Sequence, residues 1–326
     1  MKILVAPLNW GLGHASRCVP LVQRLLDEGH EVILGGDGES LTLLRRHFPK
    51  LRYVYLAPLN LRYGAGRRQV WAMIKALPQI FFWALKDHAM LKAVLHEEPI
   101  DQVISDNRFG LYSEAAECIY MTHQLHIMLP RGWKWAEKIA SRIHARVYAH
   151  YNKVWVPDYA DKEKCLAGEL SHIGTPVEYI GPLSRFENHK SEIINHKYYV
   201  VAVLSGLEPH RTMLEKEILA RYKGTTEQVL IVQGLVHRPN TRITRGTITI
   251  VPYMSDTELA EALCGAKHII ARSGYSTIMD LDALGLLEKA ELIPTPGQPE
   301  QEYLATRIAE KMQKNAEKFG QFKKKQ

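Results

Sequence analysis

The sequence lacks the features of a disulfide-stabilised, metal-binding or membrane-spanning protein. Its four cysteines, Cys18, Cys118, Cys165 and Cys264, stand far apart, without the spacing of a metal site or a disulfide framework. No uninterrupted apolar stretch reaches the roughly 18–20 residues that a membrane span requires, and the apolar start Met1–Leu8 is too short for a signal peptide. We therefore expect reduced cysteines and a cytoplasmic protein, soluble or peripheral at the inner face of the membrane.

Acidic charge is also in deficit. The 326 residues include 42 Lys and Arg against 35 Asp and Glu, a formal net charge of +7. This balance favours anionic partners such as nucleotide phosphates or an acidic membrane surface. We do not expect nucleic acid to be a partner, because the sequence has no recognition-helix or RNA-binding signature.

A chain of this length is expected to form two domains. Short apolar strands alternate with amphipathic helices in residues 2–156 and again in residues 198–294, and the polar, aperiodic stretch Phe186–His196 lies between them. This alternation predicts an α/β protein with two Rossmann-like domains, residues 1–184 and 185–326, that face each other across a cleft.

The chain opens with a strand, a glycine turn, a helix and a second strand. Gly11, Gly13 and Asp37 match a dinucleotide-binding fingerprint, but Ser16 stands at the third glycine position and His14 stands where small residues are required. An NAD-dependent oxidoreductase is therefore one alternative, and this incomplete fingerprint is its only support.

Polar residues directly follow several predicted strands of the first half, at the strand ends where open α/β sheets bind ligands. The same residues could instead be ordinary turn residues. The candidates for an acceptor-binding side are Asn9, Asp106, Asn107, Arg108 and His123.

Two helical stretches, Gln69–Leu95 and Trp133–Tyr151, mix aromatic and basic residues. Such a mixture can lie on an anionic membrane with its rings at headgroup depth, and a core helix with a solvated basic face is the alternative. In the first stretch the apolar residues are Trp71, Met73, Ile74, Ile80, Phe81, Phe82, Trp83 and Leu85, and the flanking basic residues are Arg62, Arg67, Arg68, Lys75, Lys86 and Lys92.

The most informative stretch runs from Lys267 to Tyr303. His268–Ala271 predicts a buried strand, the next residues predict a tight turn, and Ser276 or Thr277 can cap the helix that follows. A strand, a small-residue turn and a helix N-terminus together form an anion site. The pattern alone also fits any βαβ unit of a parallel sheet.

Polar residues further along the same stretch fit the rest of a nucleotide sugar. Asp280, about one turn into the helix, can accept a hydrogen bond from a hydroxyl beside the anion. The predicted loop at 295–302 offers Gln298, Glu300 and Gln301 to sugar hydroxyls. An anion, a diol and a polar loop together describe a nucleotide sugar.

Four motifs together resemble the two-domain GT-B glycosyltransferases, and in particular the MurG-like group typified by the N-acetylglucosaminyltransferase of peptidoglycan synthesis. They are GLGH at Gly11–His14, GPLSR at Gly181–Arg185, ARSGYSTIMD at Ala271–Asp280 and PGQPEQEY at Pro296–Tyr303. Their order and spacing cover nearly the whole chain. The resemblance implies a nucleotide-sugar donor, UDP-linked, and no separate cofactor.

The resemblance also assigns donor-binding residues according to the part of the nucleotide sugar that each would contact. The diphosphate ligands are Ser273, Gly274, Ser276 and Thr277, and the ribose ligand is Asp280. The sugar hydroxyls would meet Gln298, Glu300 and Gln301, and the base would meet Tyr253 and Met254. Arg185 would contact the donor at the domain junction. Ser205 and Gly206, in the first turn of the second half, together with Gly13 and Arg272, complete the predicted donor site.

Sugar transfer needs a base for the acceptor hydroxyl and a stabilised leaving diphosphate. His14 is placed for the first task, since an imidazole with a pKa of about 6.5 accepts a proton at neutral pH; packing within the turn is its alternative role. Helix N-termini and Arg185 can serve the second without a metal. Asp280 and Asp282 spell D-x-D, but inside a helix they point about 200° apart, so we predict no metal site.

These predictions describe an inverting, metal-independent transferase whose acceptor is unidentified and could be lipid-linked. A nucleotide-sugar hydrolase is an alternative, because related hydrolases share the GLGH turn and use water as the acceptor. A non-catalytic nucleotide-binding or membrane-scaffold protein is another, suggested by the short stretch after the last predicted strand.

Overall fold

A computed structural model describes residues 1–59, 69–171, 176–189 and 197–323, with side chains for all of these except 69–74 and 315–323. Several residues of the predicted membrane-facing stretch and part of the predicted linker lie outside the described residues. They are Arg62, Arg67, Arg68, the side chains of Trp71, Met73 and Ile74, and residues 190–196.

The first half forms a seven-stranded sheet in which every pairing is parallel. Its strands are β1 (Lys2–Pro7), β2 (Glu31–Gly36), β3 (Tyr53–Tyr55), β4 (Gln102–Asp106), β5 (Glu117–Met121), β6 (Lys153–Val156) and β7 (Glu178–Tyr179), and its helices are α1 (Leu12–Asp27), α2 (Gly38–His47), α3 (Gln69–Glu97) and α4 (Glu137–Tyr148). The strand order is β3-β2-β1-β4-β5-β6-β7. Apolar clusters cover both faces of the sheet, which explains why its central strands are continuous apolar runs.

The second half forms a six-stranded sheet. Its strands are β8 (Tyr198–Val203), β9 (Val229–Val232), β10 (Ile243–Arg245), β11 (Ile248–Val251), β12 (Ala266–Arg272) and β13 (Ala290–Ile293), and its helices are α5 (His210–Arg221), α6 (Asp256–Cys264), α7 (Tyr275–Ala283) and α8 (Pro299–Lys323). The order is β10-β11-β9-β8-β12-β13, and only the hairpin of β10 with β11 is antiparallel among these pairings.

Each sheet has a topological switch point, where the order of its strands reverses. In the first sheet β1 lies between β2 and β4, and in the second β8 lies between β9 and β12. Loops leave such neighbouring strands on opposite faces and open a crevice at their carboxyl ends. The turns after β1, β4, β8 and β12 are therefore the places where a ligand site is expected.

The predicted α/β class with two parallel-sheet halves is confirmed, and the predicted strand His268–Ala271 lies within β12. Two local predictions were wrong. The residues 295–302 are not all loop, because α8 begins at Pro299, where a proline and acidic first-turn residues favour a helix start. Gly274, rather than Ser276 or Thr277, occupies the N-cap of α7.

The two halves pack together through more than the turns that face each other. Leu166 and Leu170, between β6 and β7, belong to the same apolar cluster as Leu304 and Ile308 of α8. On α8, Arg307 also donates from Nη2 to the backbone oxygen of Cys165 at 2.9 Å. The predicted boundary at residue 184 lies between β7 and β8, and it remains a prediction.

Candidate active site

The glycine turn after β1 lies directly against the second half. Ser276, in the first turn of α7, donates from Oγ to the backbone oxygen of Gly13 at 2.7 Å. A Cβ on Gly13 would lie 2.9 Å from that Oγ, and a Cβ on Gly11 would lie 3.8 Å from Cα of Gly206. Gly11 and Gly206 both adopt a positive φ, 79° and 91°, which favours glycine. The first turns of the two halves therefore meet, as the predicted cleft requires.

His14 lies in the first turn of α1 with a carboxylate beside its ring. Its Nδ1 is 3.1 Å from Oδ2 of Asp106, which ends β4 and is completely buried. Burial lowers the pKa of His14 below its ordinary value and the charge of Arg17 lowers it further, while Asp106 opposes the shift. Burial would raise the pKa of Asp106, but Arg17 and His14 outweigh it and hold that pKa well below the usual range. His14 is therefore held as a neutral imidazole beside an ionised carboxylate.

Arg17 is a site residue that the sequence reading missed. Its guanidinium donates from Nε to Oδ2 of Asp106 at 2.8 Å, from Nη2 to Oδ1 of the same carboxylate, and from Nη1 to Nδ1 of His123 at 3.0 Å. The available signal was its position three residues after His14, on the same face of the helix. An arginine in an amphipathic helix usually marks the solvated face, so this position alone does not indicate a buried site residue.

His123, a predicted acceptor-side residue, contacts the second half of the chain. Its Nε2 lies 2.7 Å from Oε1 of Glu300 in the first turn of α8. Its ring stacks on Tyr275 with 4.1 Å between the ring centroids and 4° between the planes. Desolvation would raise the pKa of Glu300, but His123, His14 and Arg17 outweigh it, so the carboxylate is ionised.

The N-terminus of α7 carries no side-chain cap from any described residue, so its first N–H groups can face an anion. Ser273, immediately before this helix, donates from Oγ to the backbone oxygen of Gln301 at 2.8 Å. The side chain of Gln301 accepts from the backbone N–H of Thr295 at 2.8 Å. Two predicted ligands, Ser273 and Gln301, thus tie the α7 turn to α8. Thr277 lies in the same first turn of α7, and Gln298 immediately precedes α8.

Asp280 and Arg185, both predicted donor ligands, bind each other. Arg185 donates from Nε to Oδ2 of Asp280 at 3.3 Å, and Ser184 donates to Oδ1 at 2.7 Å. Arg185 also donates to Asp256 at 3.0 Å. Burial, the largest influence, raises the pKa of Asp280. Asp282 instead accepts from the hydroxyl of Tyr159 at 3.2 Å, so the two carboxylates of D-x-D have separate partners.

The remaining predicted donor-side residues differ in their surroundings and in their hydrogen-bond partners. Arg272 is buried and donates to the backbone oxygens of Pro294 and His210, at 3.0 and 2.8 Å, so it braces the sheet. Met254 packs in the core of the second half. Tyr253 lies under the guanidinium of Arg46, which is 5.4 Å from its ring centroid. Ser205 is half-buried in the turn after β8.

Two acceptor-side candidates hold the first half together. Arg108 is fully buried and donates to Asp87 at 2.8 and 2.9 Å and to Asp37 at 3.0 Å. Asn9 donates to the other oxygen of Asp37 at 2.8 Å. Both carboxylate oxygens of Asp37 therefore bind residues of the first half, and this arrangement does not favour the dinucleotide alternative. Asn107, at φ 58°, accepts from the hydroxyl of Tyr120 at 3.0 Å.

Solved structures share this architecture over nearly the whole chain. The spinosyn rhamnosyltransferase SpnG matches 96% of this chain and 92% of its own, with a TM-score of 0.59 at 13% identity. The calicheamicin glycosyltransferase CalG4 matches 96% of this chain and 83% of its own, with a TM-score of 0.57 at 12% identity. The chain has the GT-B glycosyltransferase fold.

The sequence relatives of this GT-B chain are described as glycosyltransferases. Uncharacterised glycosyltransferases of Methanosarcina acetivorans and Methanosarcina mazei are each 24% identical to it, over 332 and 325 residues, 95% of this chain and 84% of the relative in both cases. No family model matches the chain. The predicted enzyme class, a glycosyltransferase, is confirmed, and the MurG-like group stays a prediction.

Proposed function

We propose that the chain is an inverting, metal-independent glycosyltransferase that moves a sugar from a nucleoside diphosphate to an acceptor hydroxyl, with His14 as the base. The observation that carries this proposal is the His14–Asp106 pair in the cleft, opposite the uncapped N-terminus of α7. When Nδ1 of His14 carries the ring proton and donates it in a hydrogen bond to Asp106, the lone pair of the ring lies on Nε2 and is free to take a proton.

The donor half supplies groups suited to a diphosphate. The N-terminus of α7 and the hydroxyls of Ser276 and Thr277 can hold its oxygens, since a helix N-terminus combines free N–H groups with a partial positive charge. Glu300 can accept hydrogen bonds from sugar hydroxyls. The resemblance of the motifs favours UDP, and a structural neighbour at a TM-score of 0.53, SpnG, is known in complex with thymidine diphosphate. Both nucleotides therefore belong in the test.

The reaction proposed for this site is a single displacement. The proton of the acceptor hydroxyl passes to Nε2 of His14, and the oxygen bonds to the anomeric carbon from the face opposite the diphosphate. The bond from that carbon to the diphosphate oxygen breaks, and its electron pair leaves with the nucleotide. The fixed dipoles of the α7 N-terminus stabilise this developing negative charge, a task that a metal ion performs in other transferases.

A His14→Ala variant tests the base. We expect transfer to fall by about 10²–10⁴-fold, the usual contribution of a positioned proton acceptor, while the nucleotide still raises the melting temperature by mass action. The first measurement is a thermal-shift screen of UDP-, dTDP-, GDP- and CMP-sugars, followed by initial rates with the sugar that binds. His30→Ala, a histidine outside the cleft, is the control. Undiminished turnover in His14→Ala would refute the base assignment.

A nucleotide-sugar hydrolase of the same fold is the second candidate, since water could occupy the acceptor position beside His14. The two candidates differ in one readout. A hydrolase releases free sugar from the donor with no acceptor present, at a rate that added acceptors do not increase. A transferase releases sugar slowly until an acceptor hydroxyl is supplied.

We further propose that α3 and α4 form a surface that contacts an anionic membrane and admits a lipid-linked acceptor from the cytoplasmic side. Phe82 on α3 and Trp135 just before α4 are 67% and 70% exposed. The two helices are neighbours, because Phe109 contacts Trp83 of α3 and His144 of α4, with ring centroids 6.0 and 5.9 Å apart. In the part of the chain that the structure describes, no helix is long and apolar enough to cross a membrane.

A further inference from the structure

Arg17 is a buried cation for which the proposed reaction gives no role. Only 2% of the residue is exposed, and a guanidinium is buried at a tolerable free energy only when it is paired. Asp106 supplies that pairing through both carboxylate oxygens. A pair kept for stability alone would need nothing more, yet the remaining N–H groups of Arg17 point to two histidines.

The first of these contacts fixes the tautomer of His123. Arginine can only donate, so Nδ1 of His123, 3.0 Å from Nη1, must carry a lone pair. The ring proton therefore lies on Nε2, which donates to Oε1 of Glu300 at 2.7 Å. The face of the ring is held by Tyr275, whose hydroxyl donates to the backbone oxygen of Pro157 at 2.8 Å. His123 is thus fixed on three sides and presents Glu300 in one orientation.

The second contact makes conflicting demands on His14. Nδ1 of His14 lies 3.1 Å from Oδ2 of Asp106 and 2.9 Å from Nη2 of Arg17. Asp106 requires a proton on this nitrogen, whereas Arg17 requires a lone pair. A proton there leaves Nε2 free to act as the base, so the Asp106 contact is the productive one. The adjacent Arg17 charge disfavours a second proton on the ring.

We propose that Arg17 is a positioning residue that sets the base and the sugar-binding carboxylate from one guanidinium. Beside Asp106 it keeps His14 neutral, and through His123 it orients Glu300 toward the donor. The charged and titratable groups that face His14 are Arg17 on its own helix, Asp106 at the end of β4, His123 after β5, and Glu300 on α8. This inference rests on the proposed function, in which His14 takes the proton of the acceptor and Glu300 binds the sugar.

Arg17→Met and Arg17→Lys separate this role from that of a structural ion pair. Methionine removes the cation whose charge lowers the pKa of His14 and leaves Asp106 beside the ring, so the protonation midpoint of His14 should rise. His123 loses the donor that keeps its Nδ1 unprotonated, so only Glu300 still favours the Nε2–H tautomer and the Nδ1–H tautomer should become detectable. Lysine keeps the charge but cannot donate to three groups in one plane, so the His14 midpoint should stay near wild type while His123 again becomes mixed. Imidazole ¹⁵N shifts, assigned by single histidine substitutions, report both properties without any substrate.

His123→Phe covers the case in which Arg17→Met fails to fold. It preserves the Arg17–Asp106 pair and allows the stack on Tyr275, and it removes both hydrogen bonds of the His123 ring, the one from Arg17 and the one to Glu300. We expect the KM for the donor to rise about tenfold, with kcat within about threefold of wild type. Arg24→Met is the matched control, since Arg24 is an exposed arginine of the same helix that pairs with Glu187 at the surface.

Two results would overturn the inference. One is an unchanged His14 midpoint with an unchanged His123 tautomer in a folded Arg17→Met variant, and the other is a wild-type donor KM in His123→Phe. Failure of the proposed function looks different. In that case the wild-type protein binds and transfers no nucleotide sugar, and the imidazole shifts still decide whether Arg17 sets the two rings.

Discussion

Buried arginine–aspartate pairs recur among the residues that follow the strands, and their surroundings determine what each pair can do. Arg108 is enclosed within the first half, with carboxylates and backbone oxygens around it, so its pair with Asp87 joins α3 to the turn after β4. Arg17 and Arg185 have the same chemistry, but each bonds a residue that itself contacts the other half: His123 bonds Glu300, and Asp256 bonds His47. Residue type alone therefore does not separate a brace from a site residue.

Gly13→Ala tests how closely the two halves approach at the base. The new Cβ would lie 2.9 Å from Oγ of Ser276, so Ser276 must rotate away and lose its bond to the Gly13 backbone oxygen. A lost hydrogen bond of this kind costs about 1 kcal/mol, and we expect lower thermal stability and slower transfer. Ser276→Ala removes the same bond.

The double variant is the control for that prediction. Since alanine at 276 leaves room for the added methyl group, the two substitutions should cost less together than the sum of each alone, by at least about 0.5 kcal/mol. Fully additive effects on the unfolding free energy would contradict a direct contact between these residues.

Among the described side chains, α3 and α4 each expose several large apolar residues. Leu77, Phe81 and Leu85 on α3 follow each other at intervals of four residues, and so do Trp135, Ile139 and Ile143 along α4 and the turn before it. Four residues is close to one helical turn, so each set forms a ridge on one side of its helix. Exposed basic residues run beside the α4 ridge: Lys138, Arg142 and Arg146.

Ile139→Ser with Ile143→Ser tests this surface. Wild-type protein should sediment with vesicles that contain about a third phosphatidylserine and much less with neutral vesicles, because apolar insertion and basic charge act together. The double variant should bind the anionic vesicles about tenfold more weakly at an unchanged melting temperature, since both side chains are already exposed. Met213→Ser, an exposed apolar site on α5, is the control. Equal binding to neutral vesicles would argue against the membrane proposal.

For the whole molecule, polar contacts between the halves set a dependence of stability on pH. His47 at the end of α2 bonds Asp256 at the start of α6 at 2.8 Å. Burial lowers the pKa of His47, but Asp256 outweighs it and the net shift is upward. The pKa of Asp256 is lowered, because His47 and Arg185 outweigh its burial. At a pH between the usual pKa values of aspartate and histidine, both members of the pair are therefore charged.

His47→Gln should lower the melting temperature most at about pH 5 and least at about pH 9. The raised pKa of His47 gives stability that is complete below its unfolded value of about 6.5 and is lost as pH rises through the folded pKa. The contribution of Asp256 is lost only as pH falls below about 3.8. Thermal unfolding from pH 5 to 9 measures the difference, with the exposed His96→Gln as control. A difference that does not change with pH would refute the interpretation.

Periodicity and turn chemistry predicted the fold well, because strands buried on both faces appear as apolar runs and glycine turns follow them. Asp106 could be singled out as a polar residue at the end of a predicted strand, and His14 as part of the GLGH turn between β1 and α1. Their contact could not, since it depends on how β1 lies beside β4. The contacts of Arg17 depend on how α1 lies over the ends of β4 and β5. The contact of His123 with Glu300 depends on how the two halves meet, and the burial of Arg108 depends on α3 and on the segments that follow β2 and β3.

The attachment of α8 constrains how this enzyme could be re-engineered. Glu300 and Tyr303 lie on one helix; Glu300 meets His123, and the hydroxyl of Tyr303 accepts from the backbone of Glu169 at 2.9 Å. A chimera that joins a foreign donor half at residue 184 would lose these contacts between the halves. Leu166 and Leu170 would then lack their apolar partners on α8. Recombination should therefore carry residues 158–171 along with the transplanted half.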